Sequence, residues 1–571
     1  MSPAARAIRR AATILQSLRP RRSDLRADAL AGLPQAISTV PDGMASAVLV
    51  GVNPAYGLYA GFAGPIGGGL TTSTKLMVVT TTTAAALAAG SALDGLSAPE
   101  RDSALVLLTL LSGLLMIAAG VLRLGRYVRF VSHSVMLGFL TGVAVNITLG
   151  QLPDLVGAPS EGSLNVTKAW HALTHLGAIS WPAAAAGLGA VAIMAALSRT
   201  RFELMGSLLA VVVPTAVAVA SGTDRIATVA DAGEIPRGVP PLVLPTLSDL
   251  SWELVGGALA IAAIVLVQGA GVAQSAPNPD GTPSRINVDF VGQGVANLGS
   301  GVFHGIPIGG SVSATALSRA AGARSRWAAI LAGAWMLLIL VALAGVVGHV
   351  VMPTLAAVLM YAGVMSVRPA DLLEVLRTST ISRVALVGTF VATLVLPVAA
   401  AVGVGVLVSL LLQLNKDALD LRVVRLVPHA GDLVETDPPA VLPDREPVVL
   451  DVYGSLLYAG SRTLEARLPD PGDADRPVVV LRLRGRTSLG STFFAVMAAY
   501  AADLHDRGGL LYLSGVSPDV VERFQHTQAL DVQGMIRIFR ARPALGRSTG
   551  AAFAEASSWL VEPRPGRPDL G

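Results

Sequence analysis

The sequence predicts a polytopic α-helical membrane protein that ends in a small α/β domain. Of its 571 residues, 52% are hydrophobic and 14% are charged, and the mean hydropathy is +0.62, which is more apolar surface than one soluble core can bury. Apolar segments recur from about residue 29 to about residue 414. After residue 416, short strand-like runs alternate with helix-like stretches, which indicates a second domain of another class.

The first 23 residues are predicted to be a cytosolic N-terminal segment. The arginine-rich stretch "RPRRSDLRADAL" begins there, and no short apolar run ending in a cleavage site precedes it, so we expect the first apolar segment to be a permanent span. The chain has no cysteine, which excludes disulfides, thiolate metal sites and thiol nucleophiles.

Fourteen apolar segments are predicted to span the membrane, since each approaches the roughly 20 apolar residues of a spanning helix or the shorter length of a half-helix. With the N-terminus in the cytosol, the inward loops collect basic clusters such as Arg123, Arg126 and Arg129, whereas the outward loops hold few basic residues. Cytosolic loops carry this bias, and an even count places both termini in the cytosol. The segments are centred near Ser38, Gly61, Ala85, Leu111, Gly138, Gly189, Val211, Ala262, Ala296, Thr315, Met336, Met360, Thr393 and Val408.

The C-terminal region is predicted to be a compact, cytosolic α/β domain over residues 438–560. Runs such as "PVVLDVYG", "RPVVVLRLRG" and "GLLYLSGV" have the length of buried strands, and the stretch "STFFAVMAAYAADLHDRG" is helix-like. Residues 561–571 are rich in proline and glycine, so we expect them to be disordered.

Three long motifs in the apolar region follow a known pattern in sequence and in order. The stretch "PDGMASAVLVGVNPAYGLYAGF" lies in the first two segments, "RFVSHSVMLGFLTGVAVNITLGQLPDLVG" in the fifth, and "VGQGVANLGSGVFHGIPIGGSVSATALSRAAGARSRWAAILAG" in the ninth to eleventh. They resemble the motifs of the SulP (sulfate permease) family, and the C-terminal region resembles the STAS domain that ends most of its members. The resemblance covers about residues 24–560.

This resemblance implies a transport domain over residues 24–420, built as two inverted seven-span repeats at about 24–222 and 247–420. It also implies a core domain that moves against a gate domain, with the substrate between the facing N-termini of the third and tenth spans, which are half-helices. Elementary physics agrees, because the unpaired N–H groups and positive dipole end of a helix start attract anions without a fixed cation.

Two helix starts supply the candidate substrate-binding residues. In "KLMVVTTTTAAAL", the hydroxyls of Thr80 and Thr81 either face the anion or bond to the preceding turn. In "GIPIGGSVSATAL", Gly310 lets the backbone approach an ion closely, and Ser311 and Ser313 add hydroxyls to the exposed N–H groups. An ordinary helix cap is the alternative for this second stretch. The predicted set is Thr80, Thr81, Gly310, Ser311, Val312 and Ser313.

Three positions depart from the family pattern. The arginine that follows the second serine in many members is Ala314 here, which removes a cation from the site. The glutamine usual after the first-span proline is Asp42, and the acid usual in the eighth span is Gln268. A lone carboxylate in a membrane is costly unless it is protonated or paired, so we hypothesise that Asp42 and Gln268 couple transport to a proton or sodium ion. A helix-start cap at a break made by Pro41 is the alternative for Asp42.

The STAS-like region has candidate regulatory residues in "RGRTSLGSTFFAVM". By resemblance, Thr487 and Ser488 match the phosphorylatable position at the start of a helix, where a phosphate is electrostatically tolerated. An ordinary capped helix is the alternative.

Together these features predict a secondary active transporter of a small inorganic anion, such as sulfate or bicarbonate, that acts as a homodimer in the lipids of the plasma membrane. We expect no catalytic residues, no metal, no nucleic-acid partner and no cofactor beyond a co-transported proton or sodium ion. The missing "G-x-x-x-x-G-K-[ST]" motif argues against ATP-driven transport. Two alternatives stay open: an uncoupled anion channel or exchanger, and a non-transporting sensor or scaffold that signals through the STAS-like domain.

Overall fold

A computed structural model of the chain describes residues 22–130, 132–159, 164–200, 202–222, 226–233, 238, 240–419, 421–429, 432–486, 489–527 and 534–562. The chain divides into two compact units, Met1–Ser409 and Leu410–Gly571. The predicted cytosolic segment at 1–23 and the predicted disordered tail lie almost entirely outside the described residues.

The first unit is helical, and each of the fourteen predicted segments has its centre inside a described helix. Two short strands, β1 (Val79–Thr81) and β2 (Ile308–Gly310), interrupt the helical order. The helices up to the C-terminal sheet are α1 (Arg22–Val50), α2 (Ala55–Thr71), α3 (Thr83–Ala92), α4 (Ala98–Val121), α5 (His133–Gly150), α6 (Leu152–Val156), α7 (Asn165–Thr174), α8 (Trp181–Leu197), α9 (Gly206–Ala220), α10 (Val229–Ala232), α11 (Trp252–Ser275), α12 (Ile286–Val302), α13 (Val312–Ala320), α14 (Trp327–Val347), α15 (Met352–Ser366), α16 (Pro369–Thr378), α17 (Thr380–Val395) and α18 (Val398–Leu419).

The helices differ widely in length. Within the described residues, three stretches are long and apolar enough to cross a membrane by length and composition: α4, α11 and His133–Val156, which joins α5 to α6. The pair α15 and α16, bent by 40°, adds a fourth if it is one span. The third and tenth segments are short because part of each apolar run is strand, so α3 has 10 residues and α13 has 9.

The first four helices and helices α11–α14 pack against each other through equivalent pairs of helices. Helix α4 packs on α12, and α14 packs on α2, while α1 contacts α14 and α4 contacts α11. Each group also contains one of the two short strands, and β1 and β2 pair with each other. This exchange of equivalent contacts is the pattern of an internal inverted repeat.

The second unit contains a six-stranded sheet with the order β4-β3-β5-β6-β7-β8. Strands β5 to β8 are parallel, and β3 is antiparallel to both of its neighbours. Helix α20 packs on one face through Phe493 and Met497, and α22 packs on the other through Ala552 and Ala556. The elements are β3 (Arg422–His429), β4 (Asp432–Thr436), β5 (Pro447–Tyr453), α19 (Tyr458–Arg467), β6 (Val478–Arg482), α20 (Ser491–Asp506), β7 (Leu510–Val516), α21 (Pro518–Thr527), β8 (Ile536–Arg540) and α22 (Arg547–Val561).

The sheet begins before the boundary predicted at residue 438. Strands β3 and β4 both precede it, and Val424 of β3 is only 1% exposed. The sequence "RVVRLVPH" was missed because it mixes arginine with apolar residues directly after the last apolar segment, where it is typical of a linker as much as of a strand. The parallel strands fall within the predicted domain.

Ending the chain at Leu419 is expected to leave a protein that still inserts into the membrane, with reduced transport. The membrane unit carries its own apolar core and topology signals. Truncation at residue 438 is the matched comparison, because it would leave β3 without β5 and should lower expression further. The measurements are the membrane-fraction yield and the initial uptake rate. Failure of the shorter chain to insert would contradict this division into two units.

Candidate functional site

Two paired strands bring the starts of α3 and α13 together. Strand β1 leads into α3 and β2 into α13, and the strands are antiparallel with Thr80 opposite Gly309. Beyond the strands, the Ser311 N–H donates to the Val78 carbonyl at 3.0 Å, and the Val78 N–H donates to Thr315 Oγ1 at 3.1 Å. Because the strands run in opposite directions, the N-termini of the two helices approach the same place from opposite sides.

A hydroxyl caps each helix start. Thr82 Oγ1 accepts from the Ala85 N–H at 3.3 Å, and Ser311 Oγ accepts from the Ala314 N–H at 3.2 Å. Helix geometry leaves the N–H groups at the first two helical positions without an intrahelical partner. Two sets of such donors, each with the positive end of a helix dipole behind it, therefore converge on one location. The donors belong to Thr83, Ala84, Val312 and Ser313.

The structure places Thr80 and Thr81 in β1 and not at the helix start. They are 4% and 7% exposed, and the helix is capped by Thr82 and begins at Thr83. Pairing with β2 extends the strand to Thr81, which a run of four threonines does not reveal. The half-buried Thr82 and Thr83 therefore form the helix start, and Thr80 and Thr81 do not.

Thr80 nevertheless has an unusual environment. Its Oγ1 is buried and makes no hydrogen bond within the described part of the chain. Residues directly opposite in an antiparallel pair share a face, and a Cβ on the opposite residue, Gly309, would lie 2.8 Å from Val265 of α11. The Thr80 hydroxyl therefore lies on the face toward α11. An unpaired buried hydroxyl costs about 1–3 kcal/mol unless a ligand or water completes it.

The residues predicted in the tenth segment all lie at the start of α13. Gly310 ends β2, Ser311 is the cap, and Val312 and Ser313 are the first two helical residues. Val312 is 44% exposed, Ser313 is also exposed, and the hydroxyls of Ser311 and Ser313 are 3.2 Å apart. By contrast, Ala314 is buried against Val78 and Ala329. The accessible face of this helix start thus carries a serine hydroxyl and backbone donors.

Gln268 of α11 lies beside the other helix start. Its Oε1 accepts from Thr82 Oγ1 at 3.5 Å, the long limit of a hydrogen bond. Gln268 also borders a cavity of about 60 Å³, whose other lining residues are apolar side chains and Thr389. These residues come from α5, α11, α17 and α18. The cavity therefore lies where α11 meets helices that belong to neither of the two groups α1–α4 and α11–α14.

Asp42 does not lie at the start of a helix, which is where a cap would have to be. Helix α1 is continuous through Pro41, so Asp42 lies within a helix and the interpretation as a helix-start cap is wrong. The residue is exposed between the buried Pro41 and Gly43, and its carboxylate accepts a hydrogen bond from the Ser38 side chain. Among the described contacts, none joins Asp42 to Gln268.

Sequence reasoning missed the side chains that hold β2. Gln293 and Asn297 of α12 are fully buried, and they bond to the backbone of the strand. Gln293 Oε1 accepts from the Gly310 N–H at 2.9 Å. Asn297 accepts from the Ile308 N–H at 3.0 Å and donates to the Ile308 carbonyl at 2.8 Å. The signal was their four-residue spacing in an apolar helix, which places both amides on one face.

Among the described residues, no side-chain hydrogen bond of this kind holds β1, the equivalent strand in the first repeat. Helix α2 presents glycines to β1, where a Cβ on Gly64 would lie 2.7 Å from the Val79 carbonyl oxygen and a Cβ on Gly68 would lie 2.5 Å from Val79 Cγ2. Close backbone packing therefore positions β1, whereas amide side chains position β2.

Replacing Gln293 by leucine is expected to lower stability by about 1–3 kcal/mol, since the buried Gly310 N–H loses its acceptor. It should also raise the KM for the transported substrate more than it lowers kcat, because the start of α13 loses its support. The measurements are thermal unfolding and uptake kinetics. Gln274→Leu, at an exposed position on α11, is the control. If Gln293→Leu left both the unfolding temperature and the KM unchanged, this positioning role would be contradicted.

The regulatory candidates Thr487 and Ser488 lie outside the described residues. Within the described residues, no group of three or more histidine, cysteine, aspartate or glutamate side chains has the arrangement of a metal site.

The sequence of the membrane unit matches a family model over most of its length. The model, described as the sulfate permease family, matches residues 25–389. The chain belongs to the sulfate permease family. This sulfate permease family member is 26% identical to the putative sulfate transporter YvdB of Bacillus subtilis, over 88% of this chain and 93% of that protein.

Solved structures show the same fold. One structure of SLC26A9 has a TM-score of 0.82 at 18% identity and covers 98% of this chain and 96% of its own. A structure of murine SLC26A9 has a TM-score of 0.81 at 18% identity and covers 95% of this chain and 94% of its own. The transmembrane domain of the cyanobacterial bicarbonate transporter BicA has a TM-score of 0.59 at 19% identity, covering 67% of this chain and 99% of that one. These structures show the fold, which is a helical membrane unit and a C-terminal sheet domain consistent with a STAS domain. The family to which the chain belongs is one of membrane transporters and not of enzymes.

Proposed function

We propose that this protein is a secondary active transporter of a small anion, which binds between the starts of α3 and α13. The observation that carries the proposal is the convergence of two capped helix N-termini through the β1–β2 pair. The buried, unpaired Thr80 hydroxyl beside them adds a polar group in need of a ligand. Names of relatives agree with an anion substrate: a putative sulfate transporter, an anion transporter and a bicarbonate transporter.

The proposed movement is a shift of the core against the gate. The core consists of α1–α4 and α11–α14, and the remaining spanning helices form the gate. The apolar cavity beside Gln268 lies at this boundary. An apolar boundary favours sliding, because it contains few hydrogen bonds to break. We place the protein in the plasma membrane as a homodimer, with both termini in the cytosol.

Coupling to a proton or sodium ion is assigned to Asp42. Among the described helices of the membrane unit, Asp42 is the one charged side chain more than two helical turns from a helix end. A carboxylate at such a depth needs a proton or cation. Asp42 is an exposed residue, which agrees with access of a proton or cation to its side chain.

The test is uptake by the purified full-length protein in sealed proteoliposomes. Labelled bicarbonate, nitrate, chloride and sulfate are supplied with a proton gradient, a sodium gradient or neither. Accumulation of an anion that requires one gradient would support coupled transport. Current without a required gradient would indicate a channel, and flux of none of these anions through folded protein would favour the sensor or scaffold alternative.

A further inference from the structure

We infer that the site between α3 and α13 selects a monovalent anion over a dianion of the same shape, such as sulfate. This selectivity presupposes the anion site proposed above and concerns the charge class of its substrate.

The positive field at the site comes from the backbone. A helix N-terminus carries the equivalent of roughly half a positive charge, so two of them offer about one charge in total. The side chains at the two starts are neutral: Thr82 and Thr83 on one side, Val312 and Ser313 on the other. The next position on α13, Ala314, is only 8% exposed and has no charge to contribute.

The basic side chains that flank these elements in sequence have partners elsewhere. One lies before β1, one lies at the far end of α13, and two precede α14. The partners are Asp280 for Lys75, the Ser275 carbonyl for Arg319, Asp24 for Arg324, and the Gly69 and Leu70 carbonyls for Arg326. None of these contacts of the four basic side chains is with the two helix starts, so the four side chains leave the backbone field without a second positive charge.

Asp42 can only weaken this field. It is the one deeply placed charge among the described helices of the membrane unit, and its charge is negative. When its charge is neutralised by a proton or cation, the site offers about one positive charge from the helix ends, and when it is ionised the site offers less.

The charge of the substrate then decides the balance of two energies. Attraction to a fixed potential is proportional to the charge of the ion, whereas the Born cost of removing the ion from water is proportional to the square of that charge. A dianion therefore gains twice the attraction of a monoanion of equal size and loses four times as much hydration energy. A site with about one positive charge and neutral donors compensates the monoanion better.

The test compares two anions of one shape. Sulfate and fluorosulfate share a tetrahedral frame and carry two charges and one, so their Kd values for the purified full-length protein isolate the effect of charge. We expect fluorosulfate to bind at least about tenfold more tightly. Equal or tighter binding of sulfate would overturn the monovalent selectivity while leaving the proposed anion site in place.

A gain of charge tests the same cause from the other direction. Val312→Lys adds a cation at the exposed first position of α13 and should improve sulfate affinity relative to fluorosulfate by about tenfold. Val312→Gln controls for side-chain length, and Ala320→Lys adds the same charge at the exposed far end of the helix. Neither control should change the ratio of the Kd for sulfate to the Kd for fluorosulfate. An unchanged ratio in Val312→Lys would overturn the charge argument. Absence of binding of both anions to folded wild-type protein would overturn the proposed site itself.

Discussion

Replacing Ser313 by glutamate is expected to abolish anion uptake while the protein stays folded. Ser313 is exposed at the second position of α13, so the new carboxylate would lie where the anion meets the free N–H groups. The same position favours an acid by about 0.3–1 kcal/mol through the helix dipole, so the unfolding temperature should not fall. Uptake by proteoliposomes and thermal unfolding of the same preparation are the measurements.

A neutral variant separates charge from shape at this position. Ser313→Gln has nearly the size of Ser313→Glu without its charge, so it should retain part of the uptake. Near-normal uptake by folded Ser313→Glu protein would remove the start of α13 as the anion site. Equal loss in both variants would assign the effect to side-chain size.

Replacing Asp42 by asparagine is expected to uncouple transport. The variant keeps the shape of the side chain and its capacity to accept from Ser38 but removes the charge that binds a proton or cation. We therefore expect exchange of the anion across the membrane to persist, whereas accumulation driven by a proton or sodium gradient is lost. Gradient-driven flux and exchange flux are measured in the same proteoliposomes.

A second substitution tests whether a carboxylate at position 268 of α11 can take over the role of Asp42. Gln268→Glu adds an acid on α11 next to Thr82, and we expect it to restore part of the gradient-driven uptake in the Asp42→Asn background. Equal loss of both fluxes in Asp42→Asn would make Asp42 a structural residue. Unchanged gradient-driven uptake would exclude it from coupling.

The two-residue shift at the third segment shows why helix starts are hard to predict from sequence. Thr80 to Thr83 are identical side chains with similar local preferences, so the position of the boundary depends on what each backbone group pairs with. Pairing with β2, more than 200 residues away in the chain, holds Thr80 and Thr81 in a strand and leaves Thr82 as the cap. In the tenth segment the Gly-Gly-Ser sequence marks the boundary locally, and the predicted helix start is at the observed position.

Contacts between distant parts of the chain also explain why α1 continues through Pro41. Pro41 removes a backbone donor, which predicts a break at that point. In the structure Pro41 and Gly43 are buried, and α1 packs so closely on α2 that a Cβ on Gly57 would overlap the Gly43 carbonyl oxygen. Such packing compensates for one missing hydrogen bond, which local sequence cannot show.

The sequence by itself determined the positions of the fourteen apolar helices, the parallel strands β5, β6 and β7 of the C-terminal sheet, and the helix start at Ser311. Apolar length, strand-like runs and Gly-Ser caps act over a few neighbouring residues, so local sequence is enough to locate them. Tertiary structure alone decided the pairing of β1 with β2, the anchoring of β2 by Gln293 and Asn297, and the continuity of α1 through Pro41. These depend on partners distant in sequence, because buried backbone groups take whichever partner the packed fold brings within reach.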